Sequence, residues 1–202
     1  RTAKKAFKEK LKQIEKGGNY DNVVLSNCGI GALPVGFFKA KFISSTIDLN
    51  LSMNALSSIQ PKFVKLERLV TLNLSRNRFL EIPEIIFKLT NLETLSLDSN
   101  YIRKLPESIG NLRKLQTLSM AHNKISSLPD GITLLLRLRK LHLIGNPIPG
   151  VYEKVLFLLL KGFDTMNLSA MRISQLPDYT TKLSAQLRSL TISNNLLSQI
   201  PE

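Results

Sequence analysis

The sequence predicts an α/β solenoid: a horseshoe with a parallel concave β-sheet, short helices or irregular segments on the convex side, and a capping helix at the N-terminus. Three observations predict it. One nine-residue phrase recurs as LVTLNLSRN, LETLSLDSN, LQTLSMAHN and LRKLHLIGN, ending at Asn77, Asn100, Asn123 and Asn146 at intervals of 23 residues. A common tail follows, aligning Phe79, Ile82 and Pro83 with Ile102, Leu105 and Pro106 and with Ile125, Leu128 and Pro129. Ahead of the array, Ala3, Phe7, Leu11 and Ile14 recur at helical spacing before Gly17-Gly18. A fixed period of about 20 to 30 residues means one supersecondary unit per copy, which cannot bury its apolar face until neighbours stack on it.

In chain order, residues 1–18 form a basic helix with an apolar stripe, expected to lie over the first repeat and shield Val23, Leu25 and Ile30. Residues 19–202 then hold about eight repeats. YDNVVLSNC ends at Cys28, so a cysteine occupies the asparagine slot there, and TIDLNLSMN ends at Asn54. The second repeat departs mildly, with Thr46 in place of the leading leucine and Pro61 one residue later than its counterparts. Past Asn146 the tail changes to PIPGVYEKVLFLLLKG, whose spacing predicts a true helix over 147–162 closed by Gly162. FDTMNLSAM follows with Met171 in the asparagine slot, and LRSLTISNN ends at Asn195. Methionine cannot make an amide's hydrogen bonds, so the array is expected to be irregular over 147–171. The chain starts at Arg1 and stops at Pro201-Glu202 within a repeat, so a longer parent chain is expected.

Within one phrase, Leu72 and Leu74 stand two apart, so a strand turns both inward and presents Thr71, Asn73 and Ser75 outward. The asparagine turns the chain inward, and its amide can serve backbone groups that would otherwise be buried unpaired. Cys28, Asn54, Asn77, Asn100, Asn123, Asn146 and Asn195 are therefore expected to form a structural ladder.

Chemistry is sparse. Gly145 and Gly150 have the spacing of a phosphate loop, but Val151-Tyr152 stand where Lys and Ser or Thr are required. The only two histidines, His122 and His142, fall on adjacent repeats without a third ligand, and no paired carboxylates recur as acid and base. No catalytic residue, metal or cofactor is expected. The longest apolar run, Val155 to Leu160, is far shorter than the ~20 residues of a membrane helix. A single cysteine excludes an internal disulfide framework and points to the cytoplasm, with the nucleus as the alternative.

The net charge of +13 among 202 residues raises nucleic acid and anionic membranes as partners. Its distribution argues otherwise for the concave face. Of the outward positions there, only Asp48, Arg76, Asp98 and Lys140 are charged, they sum to zero, and none is aromatic. The excess lies on the cap helix, loops and convex side, as at Lys62, Lys65, Arg113 and Lys114.

The sentence L-x-x-L-x-L-x-x-N-x-L-x-x-L-P over residues 19–202 resembles the intracellular 23-residue class of leucine-rich repeat proteins, similar to the Ras-group scaffolds. That resemblance implies an adaptor or recognition module for a partner protein, here on the outward strand positions around Asp48, Arg76, Asp98, His122, Lys140 and His142. Two rivals stand beside it: a basic surface for nucleic acid or anionic lipid, and a regulatory recognition domain of a larger signalling enzyme.

Overall fold

The computed structural model describes residues 2–18, 20–40, 42–148, 165–170, 174 and 188–198. Residues 149–162 of the helix expected over 147–162, and the ladder slot at Met171, lie outside the described residues.

Two inward residues per strand at a period of two give each repeat a short strand and little else extended. Eight such strands, β1 (Asn22–Val24), β2 (Asp48–Asn50), β3 (Thr71–Asn73), β4 (Thr94–Ser96), β5 (Thr117–Ser119), β6 (Lys140–His142), β7 (Thr165–Asn167) and β8 (Ser189–Thr191), pair in chain order into one parallel sheet. The register never slips: Leu49 opposes Leu72, then Leu95, Leu118 and Leu141 continue the row. Leu51, Leu74, Leu97, Met120 and Leu143 make a second buried row beside it. Each such side chain contributes about 2 kcal/mol on burial, but only once the next repeat covers it.

Among the described residues the return legs cross the convex side through five short 3-10 turns, Val35–Lys39, Pro61–Lys65, Glu84–Lys88, Glu107–Asn111 and Asp130–Leu134. Pro34, Pro83, Pro106 and Pro129 stand immediately before four of them, where a missing N–H costs nothing and the carbonyl accepts the first bond of the turn. In the second repeat Gln60 takes that slot, and its Nε2 donates to Leu33 O at 2.6 Å. Thr46, polar in a leucine slot, is fully buried because its hydroxyl donates to Phe42 O at 2.8 Å.

At the N-terminal end α1 (Thr2–Gly17) lies across the first repeat. Phe7 is completely buried with its ring 6.4 Å from that of Phe37, and Leu11 and Ile14 pack half-buried against the same core. Lys10 Nζ donates to Ser26 O at 2.6 Å, tying the helix to the end of β1. Lys4, Lys5, Lys8, Lys12 and Lys16 are exposed on the other face. The helix caps the array because an uncovered first layer would leave Phe37 and Val23 in water. Among the described residues no helix is long and apolar enough to cross a membrane.

Candidate protein-recognition surface

The ladder that holds the concave face is a set of amide bonds between successive repeats. Asn77 donates to Leu51 O and Leu74 O, both at 3.0 Å, and accepts from Leu56 N–H. Asn100 does the same with Leu74 O, Leu97 O and Phe79 N–H, and Asn123 with Leu97 O, Met120 O and Ile102 N–H. Asn146 serves Met120 O, Leu143 O and Ile125 N–H. At the edges, Asn54 accepts from both Cys28 N–H and Ile30 N–H, and Asn195 donates to Leu168 O and Ile192 O. Each amide thus bridges two repeats, and its groups are inside, where unpaired partners would be costly.

Cys28 itself is buried, its thiol donating weakly to Ser26 O at 3.5 Å. Burial pushes that thiol up from its ordinary pKa, and the Lys10 ammonium pulls the other way. It stays a protonated structural group, a poor nucleophile.

The residue before each ladder position carries the backbone into the left-handed region. Asn27, Met53, Arg76, Ser99, His122, Ala170 and Asn194 have φ between 55° and 57°, and Gly145 has 74°. Such a turn at the strand's end is what swings the asparagine beneath the sheet, and it strains every side chain larger than glycine or asparagine. Arg76 and His122 are therefore displayed from strained backbone.

Taken one by one, the six candidate side chains stand in different situations. Arg76 and Lys140 are exposed, three repeats apart, or about 14 Å along the solenoid at ordinary strand spacing. Asp48 is half-buried at the start of β2. Asp98 is engaged within the fold: its Oδ1 accepts Ser119 Oγ–H at 2.6 Å and Ala121 N–H at 2.7 Å, binding the fourth repeat to the fifth. His122 and His142 do not converge. The His122 ring lies over the backbone of Gly145, where an added Cβ would stand 2.7 Å from Nδ1, while His142 sits opposite Ser119 in the sheet. Among the described residues no three His, Cys, Asp or Glu side chains come together as metal ligands.

Between these lie rows of short hydrogen-bonding side chains. Thr71, Thr94 and Thr117 form one, and Asn50, Asn73, Ser96 and Ser119 another. Asn50 and Asn73 accept the N–H groups of Ser52 and Ser75, which orients their amides along the face.

Two exposed apolar groups lie outside the strand phrases: Leu80 and Tyr101 follow the ladder on adjacent repeats at 61% and 47% exposure, while exposed Met53 holds the left-handed position within the second phrase. The signal available was columnar: Leu80 aligns with Ser57, Arg103 and Ser126, all hydrophilic.

Comparison with known proteins accords with this geometry. The similar solved structures include a leucine-rich repeat protein of Leptospira interrogans, with a TM-score of 0.82, 25% identity and coverage of 94% of this chain and 47% of that one. An internalin, InlF of Listeria monocytogenes, gives 0.76 at 18% identity, covering 98% of this chain and 60% of that one. The PEPR1-AtPEP1 structure gives 0.65 at 22%, covering 85% and 28%. The latter two speak for the fold alone. The chain spans about half the length of the Leptospira protein. No curated protein matches the sequence. The family model described as Leucine rich repeat matches residues 21–79, 67–125 and 90–148, well over half of the 202 residues. With the in-register strands and the asparagine ladder, those matches establish that the chain belongs to the leucine-rich repeat family.

Proposed function

We propose that this chain is a scaffold or adaptor module that binds a partner protein on its concave face and carries out no catalysis itself. Leucine-rich repeat proteins are in general protein-interaction modules, which supports a protein partner as a class. The observation that carries the finer reading is the character of the sheet: in-register rows of Thr, Asn and Ser with few charges and no Phe, Tyr or Trp. Such a face recognises by hydrogen bonds and shape, as protein interfaces do, and offers neither the clustered charge nor the stacking surfaces that nucleic acids need.

The test begins with a partner isolated by affinity and then purified. Arg76→Glu combined with Lys140→Glu is expected to weaken that partner about tenfold or more, while neutralising Lys62, Lys65, Arg113 and Lys114 leaves binding within about twofold. A titration against DNA, RNA and anionic vesicles at two salt concentrations supplies the other arm. Tight binding with a log–log salt slope of roughly −0.9 per phosphate contact on duplex DNA, insensitive to Arg76 and Lys140, overturns the adaptor reading.

A further inference from the structure

A second surface lies beside the concave face, on the rim where each chain segment leaves its ladder asparagine. There the backbone of one repeat hydrogen-bonds to the last: Tyr101 N–H to Phe79 O at 2.9 Å, Arg103 N–H to Leu80 O at 3.3 Å, and Lys124 N–H to Ile102 O at 2.8 Å. These bonds hold Arg78, Tyr101 and Lys124 in one column and Leu80 and Arg103 in the next, with repeats about 5 Å apart. All five side chains are exposed. Lys124 Nζ stands 5.5 Å from the centre of the Tyr101 ring, a cation–π contact between adjacent repeats. Leu80 and Arg103 wall a recess of about 320 Å³ together with Glu81 and Lys104.

An exposed leucine or tyrosine alone is ordinary surface. Here two stand on consecutive repeats, at adjoining positions, among Arg78, Arg103, Lys104 and Lys124 with Glu81 the one carboxylate lining the recess. Tyrosine and arginine side by side are the residues that most often dominate protein interfaces, since each brings apolar area and a polar end. The cations set the sign of the partner, and the recess sets its shape.

We propose that this rim docks a short acidic protein segment carrying one apolar side chain, seated between Leu80 and Tyr101 with its carboxylates on Arg78, Arg103 and Lys124. The apolar pair is too localised for a lipid surface, which presses on a broad face. A nucleic acid would stack on Tyr101 but leave Leu80 without a partner. The surface is separate from the strand positions of the concave-face reading, and either can fail without the other.

The intact chain is panned against a random peptide library, and affinities of the enriched peptides are read by fluorescence polarisation. Enriched peptides are expected to carry Asp or Glu around an apolar residue, and to lose about tenfold in affinity with Tyr101→Ala and more with Arg103→Glu. Lys140→Glu, on the concave face, leaves them unchanged. Because the rim side chains are exposed, circular dichroism of the variants should match the parent. No enrichment, peptides without acidic residues, affinities unmoved by the rim substitutions, or equal binding to polyglutamate or phosphatidylserine vesicles overturns the proposal.

Discussion

The convex side is packed in two ways by repeats whose strands are alike. In the first three, aromatic rings fill it: Phe37 lies 5.0 Å from Phe38 and 5.7 Å from Phe42 between ring centres, and Phe63 and Phe87 continue the layer, all buried. In the fourth and fifth, the turns Glu107–Asn111 and Asp130–Leu134 approach to backbone contact through Gly110 and Gly131. A Cβ on Gly131 would stand 2.2 Å from Glu107 O, and one on Gly110 2.8 Å from Gly131 O. The Glu107 carboxylate uses that closeness, accepting from Asp130 N–H at 3.1 Å and Gly131 N–H at 2.6 Å. The sheet side demands the same residues in every repeat because its spacing is set by hydrogen bonds. The convex side demands only that the space be filled, by rings in one half and by approach of the backbone in the other.

That contrast can be broken at several strengths. The ladder is what both halves share, so Asn77→Leu and Asn123→Leu should destabilise alike, by about 4 kcal/mol each: either leaves one N–H unpaired, at about 1 to 3 kcal/mol, and takes one bond from each of two carbonyls that keep a second ladder amide, at about 1 kcal/mol apiece. Urea midpoints that differ widely between the two would show that the ladder does not act equally along the array. Phe63→Ala should cost about 4 kcal/mol by emptying a fully buried ring site. Amide exchange should place the loss in the second and third repeats, with the fifth protected as before; uniform loss would mean the two halves unfold as one unit.

Gly131→Ala should cost about 2 kcal/mol, because the contact it meets is backbone and cannot swing aside. Its counterpart in the aromatic half is Gly36, where an added Cβ meets nothing within 4 Å, so Gly36→Ala should be neutral or stabilise by about 0.5 kcal/mol. Equal thermal shifts for the two alanines would remove the distinction drawn here. Met53→Gly should stabilise by up to about 1 kcal/mol by relieving a left-handed residue at φ 56°. A lower melting temperature would mean that the Met53 side chain holds the edge more strongly than its backbone strains it.

Much of the architecture was legible without coordinates. The strand rows, the convex turns after each proline and the cap over the first repeat follow from periods of two, 23 and helical spacing, which survive translation from one copy to the next. Thr46 was readable as a departure but not as a solution, because its partner, Phe42 O, lies in a turn that only the folded chain closes. Asp98 read as a free charge on the face for the same reason: the Ser119 hydroxyl and Ala121 N–H that bind it are 21 and 23 residues away.

By itself, then, the sequence determined which residues face inward, since hydrophobic periodicity is local and each repeat states it again. The tertiary structure decided which side chains from different repeats become neighbours. Stacking at about 5 Å brings residue n beside residue n + 23, and no single repeat records what that neighbour will be. The approach of Gly131 to Glu107, the His122 ring over Gly145 and the rim of Leu80, Tyr101, Arg103 and Lys124 all arise in that second dimension, where side chains distant along the chain share one surface.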